Sequence, residues 1–461
     1  MTNLFELTTK LAKKQRVQPE PESINDPSDC HKGDGLNDRS DCCDSDSIDC
    51  SDSDSLFSLI GQDNSIDCSD SDFLFSPIDQ DNSIDCSDSN SLFSPIGRDN
   101  SIDCLVRCSR FEYGSLACIN RSFRSLIKRG ELYQLRCQLG IVEHWIYFIC
   151  DDPNKWVAYD PKANRWMTPP LMPCKEECFK CSNGLGDKYR SEVAYLHLPD
   201  ECFKCSPKIS LAVGTELLLF AKVLKKQFVM RYSILSNRWT QGEKMNQPRG
   251  YFASASLGEK AIVAGGLDLF CNALNSAELY NSETRCWVTI SSMNKARKIC
   301  SGVFMDGKFY VVGGKSSCND FLTCGEEYDL ERETWRVIPN MSVGLDSNSR
   351  APLVAVVRNE LYTADCSEMV LRKYDKKNNV WVTLGPMPVW PDYVNKWNVA
   401  FLACGDRLLV IGGPLDDEGG LIQIKSWVPD NDGPPQWNIL AERHSETYLY
   451  DLDSNCAVMG C

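Results

Sequence analysis

Downstream of residue 140 the chain is written as short apolar runs set off by Gly, Asn and Asp, and the runs recur in groups of four. One group reads Tyr251-Phe-Ala-Ser-Ala-Ser256, Lys260-Ala-Ile-Val-Ala264, Ser276-Ala-Glu-Leu-Tyr280 and Cys286-Trp-Val-Thr-Ile290. The next gives Ser301 to Met305, Phe309 to Val312, Glu326 to Asp329 and Thr334 to Ile338. Short runs rich in β-branched and aromatic residues and bounded by turn residues predict strands. A Tyr on the third strand is followed seven residues later by a Trp on the fourth: Tyr159/Trp166, Tyr232/Trp239, Tyr280/Trp287, Tyr328/Trp335 and Tyr374/Trp381. Gly-Gly pairs ending at Gly266, Gly314 and Gly413 stand fourteen residues before Tyr280, Tyr328 and Trp427, the last of these partnered by Trp437. From Trp239 the Trp residues recur at 48, 48 and 46 residues. A four-stranded unit at such a period predicts a mainly β fold, a radial array of blades. Trp166, Trp239, Trp287, Trp335, Trp381 and Trp437 count six of them. The first blade opens at Trp145-Ile-Tyr-Phe148 without an innermost strand. Either Thr447–Tyr450 or Cys456–Met459 can supply it, closing the ring and removing an open sheet edge.

The same regularity argues against reading the aromatics as a sugar-stacking ladder, because residues repeated in every unit are what packing between blades requires. The Gly pairs read as turns that exclude a Cβ. A nucleotide cradle would need a strand, a Gly loop and then a helix, and that context is absent here.

The N-terminal region has a different texture. Residues 1–92 are rich in Asp, Ser, Asn and Cys and too poor in apolar residues to offset the entropy of ordering, which predicts a disordered acidic tail. A unit of 18 residues recurs in it, with Asp63-Asn-Ser-Ile-Asp-Cys68 repeated at Asp81–Cys86 and Asp99–Cys104, preceded in turn by Phe57-Ser-Leu-Ile60, Phe75-Ser-Pro-Ile78 and Phe93-Ser-Pro-Ile96. From residue 93 to 138 the pattern turns helical. Leu116, Ile119, Phe123, Leu126 and Ile127 share one face opposite Arg121, Arg124 and Lys128; Ile102, Leu105, Val106 and Cys108 form an earlier apolar set, with Gly114 expected to separate the helices.

Charge and cysteine content narrow the function classes. The net charge of −15 over 461 residues belongs to the tail: Asp26–Cys104 holds twenty Asp, no Glu and three bases, −17 in all, and leaves the rest nearly balanced. A broad basic face for nucleic acid is therefore not expected. The 25 Cys are spread through a long chain without a basic-then-apolar leader, which points to reduced thiols rather than a disulfide scaffold. No apolar run approaches the roughly 18 residues of a membrane span. The expected compartment is the nucleus, the cytoplasm or both.

Ser94-Pro95-Ile96, the apolar run through Val106, Tyr113-Gly114-Ser115-Leu116 and Arg121-Ser-Phe-Arg-Ser-Leu126 together resemble an F-box. Joined to the Tyr-x6-Trp blades, to Glu143-His-Trp-Ile-Tyr147 and to the ending Cys456-Ala-Val-Met-Gly-Cys461, the match resembles the plant F-box/kelch-repeat proteins over residues 93–461. One departure is that the first segment of the F-box is duplicated upstream, and only the last copy runs into a second helix. The resemblance implies a kelch propeller at 141–461 preceded by an F-box at 93–138. It implies a substrate-recognition subunit of an SCF-type cullin ubiquitin ligase, in which the F-box docks a Skp-type adaptor and through it a cullin, while the propeller holds a target protein. Pro95, Ile96, Ile102, Leu105, Leu116, Ile119 and Phe123 are the expected adaptor contacts. The alternative is a kelch scaffold whose F-box no longer works.

For the target, Arg249, Arg297 and Arg350 each follow a Trp strand in a connecting loop, where guanidinium forks could converge on an acidic segment; the alternative role is satisfying turn carbonyls. Trp397, with Trp390 and Tyr393, is a candidate aromatic anchor in the connection to the sixth blade. Cys178-Phe-Lys-Cys181 and Cys202-Phe-Lys-Cys205 have the form of a zinc ribbon. They also read as a local duplication that lengthens the Trp166–Trp239 interval to 73 residues against 48, so an extruded loop at about 174–208 without metal is expected. The four His lie in separate contexts with no paired nucleophile. The expectation is a non-catalytic protein with no cofactor.

Overall fold

The structure is a computed structural model that describes residues 98–149, 155–173, 208–223, 226–345, 350–388, 399–416, 419–429, 433–445 and 455–460. The described strands form six antiparallel sheets, each built from four consecutive strands except at the closure; the sixth carries an extra short strand, Leu415–Asp416. The innermost strands are Cys456–Gly460, Lys208–Val213, Ala253–Leu257, Ser301–Met305, Leu353–Val357 and Ala400–Cys404. Each lies against the next around a ring, and Ala400–Cys404 returns to Cys456–Gly460. The fold is a closed six-bladed propeller.

Of the two segments able to complete the first blade, Cys456–Gly460 does so. It pairs antiparallel with His144–Ile149, from His144 opposite Gly460 to Phe148 opposite Cys456. Ser210 of the second blade donates its hydroxyl to the Cys456 carbonyl at 3.1 Å. Thr447–Tyr450 lies outside the described residues.

The core is a set of seams between neighbouring sheets. Second strands such as Lys260–Ala264 are buried along nearly their whole length, as a strand covered on both faces must be. Outermost strands such as Cys286–Ile290 bury only their Trp. Between the first and sixth blades Ile146, Tyr159, Leu409 and Ile424 pack together; between the second and third, Leu218, Phe220, Tyr280 and Trp287 do so.

The paired aromatics belong to these seams. In the five Tyr-x6-Trp units the two residues face each other across adjacent strands. Their ring centroids are 4.7 Å apart in the first blade and 5.2, 4.9, 5.0 and 5.2 Å apart in the next four. Each Trp from the second blade onward also donates its indole N–H to a carbonyl on the chain leaving the preceding blade. Trp239 reaches Pro170, Trp287 reaches Glu243, Trp335 reaches Ser291, Trp381 reaches Met341 and Trp437 reaches Pro386, at 2.7–3.2 Å. The Gly pairs are turns as expected: Gly266 has φ 96°, and a Cβ there would stand 2.5 Å from the Gly250 carbonyl.

Ahead of the ring come helices α1 (Arg98–Arg107), α2 (Tyr113–Ile119), α3 (Arg121–Lys128) and α4 (Glu131–Leu139), with a 3-10 turn at Arg110–Glu112. Gly114, expected to separate helices, lies inside α2. α1 and α2 separate earlier, over residues 108–112, and the single helical face expected over Leu116–Ile127 is broken at Asn120, whose backbone is extended (φ −145°, ψ 130°) and whose side chain accepts the Ser122 N–H at 2.7 Å to cap α3. An Asn side chain that satisfies a free N–H at a helix start favours such a break. Leu105, Val106, Ala117, Leu126, Ile127 and Leu132 form the buried centre of this module.

Candidate functional site

Strand direction sorts the propeller loops onto two ends. Turns between first and second and between third and fourth strands share one end; connections between second and third strands, and from one blade to the next, share the other. The helical module sits on the first of these. The Arg110 guanidinium lies 3.7 Å over the ring of Trp145, and that of Arg165 lies 3.7 Å over Phe111. Tyr133 on α4 donates to Glu259, in a turn of the third blade, at 2.7 Å; burial and the Glu259 charge push its phenol pKa upward.

Arg136 on α4 holds the joint together. It is 1% exposed and donates to the carbonyls of Val106 (3.1 Å) and Cys108 (2.6 Å) at the end of α1. It also pairs with Glu143 at 3.2 Å, while the other Glu143 oxygen accepts the Arg110 backbone N–H at 3.0 Å. One buried ion pair thus ties α1, α4, the 3-10 turn and the first residue before the propeller into a single polar network. Sequence reasoning missed it, because neither residue belongs to a repeat.

The expected adaptor contacts are not alike. Leu105 is 4% exposed and is part of the module's own centre, so its role is to hold the module together rather than to present a contact. Ile102, Leu116 and Phe123 are half-buried against that centre. Ile119, at the end of α2, is 68% exposed. Pro95 and Ile96 lie outside the described residues.

At the other end, two of the three expected target contacts are corrected. Arg249 pairs with Glu278 and Arg297 with Glu326, each at 2.8 Å and with both side chains fully buried. Arg249 also donates to the carbonyls of Gly265 (3.0 Å) and Ser276 (2.7 Å), and Arg297 to those of Gly313 (3.0 Å) and Cys324 (2.9 Å). Each Glu accepts two backbone N–H groups of the loop that carries the Arg, Asn246 and Gln247 for Glu278, Asn294 and Lys295 for Glu326. These guanidinia are staples between a Gly-Gly turn, a third strand and an interblade loop. They have no surface to offer a target. Arg350 is different: it is half-buried and lines a pocket with Lys315, Ile299, Phe321, Leu322 and Leu345. Trp397, Trp390 and Tyr393 lie outside the described residues, as do Cys178, Cys181, Cys202 and Cys205. Among the described residues no group of three or more His, Cys, Asp or Glu is placed to hold a metal.

Comparison with known proteins places the chain. Residues 248–294 and 296–342 each match the kelch motif family. Over 368 residues the chain is 48% identical to the F-box/kelch-repeat protein SKIP11 of Arabidopsis thaliana, a match covering 77% of this chain and 72% of that relative. Two further F-box/kelch-repeat proteins of the same plant are 46% and 42% identical, over 77% of this chain and 76% and 80% of their own lengths. This chain belongs to the F-box/kelch-repeat proteins. In this F-box/kelch-repeat protein the two kelch matches are the third and fourth blades, those with the buried Arg–Glu staples.

The end of this kelch propeller opposite the helices bears a run of exposed apolar side chains on successive loops: Leu171, Tyr251, Phe270, Phe321 and Val343. Phe270 is 78% exposed, in the loop between the second and third strands of its blade. Apolar groups exposed on the loops of one end are area that a partner could cover. Sequence reasoning missed these residues. Their signal lies in the loop positions where the repeats differ, whereas a repeat is recognised from the positions where its copies agree.

Proposed function

We propose that this chain is the substrate-recognition subunit of an SCF-type cullin ubiquitin ligase, acting in the nucleus or cytoplasm. The F-box module docks a Skp-type adaptor and through it a cullin, the propeller binds a target protein, and ubiquitin transfer is carried out by other subunits. What supports the reading, beyond family membership, is the placement of the helices and the loops. The helical module is fixed to one end of the ring by the Arg136–Glu143 pair and the Tyr133–Glu259 bond. The exposed apolar loops occupy the other end, so an adaptor and a target meet the chain from opposite directions. Ile119, exposed on α2, is the adaptor contact that a substitution can remove without opening the module's centre.

The test is co-purification of the full-length chain with a Skp-type adaptor. Ile119→Asp should reduce adaptor recovery at least about tenfold, the loss of one well-packed apolar anchor, with an unchanged melting temperature. If the unaltered chain retains no adaptor, the ligase reading fails, and a kelch scaffold without a working F-box takes its place.

A further inference from the structure

We propose that the two upstream copies of the 18-residue unit are additional, weak adaptor-binding segments that compete for the surface of the adaptor taken by α1. The inference rests on the receptor reading above and concerns how that same adaptor is captured and kept.

The copying stops inside a helix. Residues 92–104 match residues 74–86 at eleven of thirteen positions, the exceptions being Gly97 and Arg98 against Asp79 and Gln80. They match residues 56–68 equally well, the exceptions being Pro95 and Arg98 against Leu59 and Gln62. At Leu105 the likeness ends, because the copies continue with Ser69-Asp70 and Ser87-Asp88. Since α1 runs from Arg98 to Arg107, that boundary falls within it.

A unit copied for folding would bring its core residues along. This one leaves out Leu105 and Val106, 4% and 1% exposed, by which α1 enters the centre of the module. It keeps the part of α1 that faces outward: Asn100, Asp103 and Cys104 are exposed and Ile102 is half-buried, and among residues 100–104 only Ser101 is buried. Three of the seven expected adaptor contacts, Pro95, Ile96 and Ile102, belong to the unit. Their counterparts are Pro77, Ile78 and Ile84 in one copy and Leu59, Ile60 and Ile66 in the other, all outside the described residues. Leu116, Ile119 and Phe123, on α2 and α3, have no counterpart upstream.

Each copy thus holds part of the contact set and none of the means to complete it, so its own affinity is low. Its effect comes from belonging to the same chain. A second site joined by a short connection acts at an effective concentration on the order of millimolar, enough to make a weak segment count. An adaptor released by α1 is recaptured by a neighbouring copy, which prolongs its stay on the chain without adding a contact to the docked complex.

The experiment follows release of a purified Skp-type adaptor from the immobilised full-length chain. It compares the parent, a tail variant (Ile60→Ser, Ile66→Ser, Ile78→Ser and Ile84→Ser), Ile119→Asp, and all five substitutions together. The tail variant changes no charge and no residue of the helices or the ring, so its melting temperature should equal the parent's. It should release the adaptor at least about threefold faster, and the five-fold variant should lose the residual recovery that Ile119→Asp leaves. Equal release from parent and tail variant, with no further loss on combination, would overturn the proposal and leave the ligase reading standing. A parent that takes up no adaptor would overturn both.

Discussion

Arg297 and Arg350 follow consecutive Trp strands in equivalent connections, and in the sequence they look like the same residue. In the structure one is fully buried against Glu326 and the other borders an open pocket. What separates them is repetition. Around Arg297 the loop length, the Gly-Gly turn and the Glu two residues before the Tyr all match the neighbouring blade, and together they enclose the guanidinium. Around Arg350 the loop is longer and the Glu has become Arg372. A residue that recurs with all its partners is part of the ring's construction; where the loop length and the third-strand acid both change, the same residue type is placed differently.

Three perturbations test that contrast. The largest effect is expected from removing Cys456–Cys461. This strand closes the first blade, and Cys456, Ala457 and Met459 are buried in the seams on either side. Its loss exposes the edge of His144–Ile149 and two seams at once, so unfolding followed by tryptophan fluorescence should change from a single cooperative transition to a broad one. A sharp, unshifted transition would show that ring closure does not depend on this strand.

Next is the pair of Arg substitutions. Arg297→Ala leaves Glu326 buried without its cation, which costs about 3–5 kcal/mol. Arg350→Ala trims a half-buried side chain at a pocket rim and should cost less than about 1 kcal/mol. Urea unfolding of the two variants in parallel reads the difference directly, and equal losses would erase the distinction between staple and rim.

The smallest effect is a gain. Five residues after the Tyr, the turn residue has positive φ in each of five blades: Asn164, Asn237, Arg285, Glu333 and Asn379, with φ of 52, 50, 55, 58 and 56°. Asn tolerates this region better than Glu, and in the first, second and fifth blades its side chain accepts the Tyr hydroxyl at 2.9, 2.8 and 2.5 Å. Glu333→Asn should raise stability by about 0.5–1 kcal/mol, seen as a higher urea midpoint at unchanged slope.

The propeller is legible in the sequence because a repeat is read several times over. Each Tyr-x6-Trp pair confirms the others, and the Trp-bearing strands count the blades even where the spacing between them is irregular. Ring closure is legible down to two segments, since a missing strand must come from the other end of the chain. The separation of α1 from α2 is misplaced by a reading that follows Gly114, and the break between α2 and α3 is missed, although Asn120 followed by Arg121-Ser122 is itself a cap sequence. Sequence does not settle the roles of Arg249 and Arg297 because their acids lie 29 residues away on another strand. Only the fold shows that a loop Arg and a third-strand Glu meet behind a Gly-Gly turn. The Arg136–Glu143 joint and the pocket lined by Lys315 and Phe321 escape for the complementary reason: each occurs once, so no pattern announces it.

The central claim is that one end of the ring meets the ligase machinery and the other end meets the target. Hydrogen–deuterium exchange on the full-length chain, with and without a purified Skp-type adaptor, tests this most directly. Added protection is expected in α1 and α2, with no change in the loops at 265–276 and 313–324. Protection of those loops, or none in the helices, would contradict it.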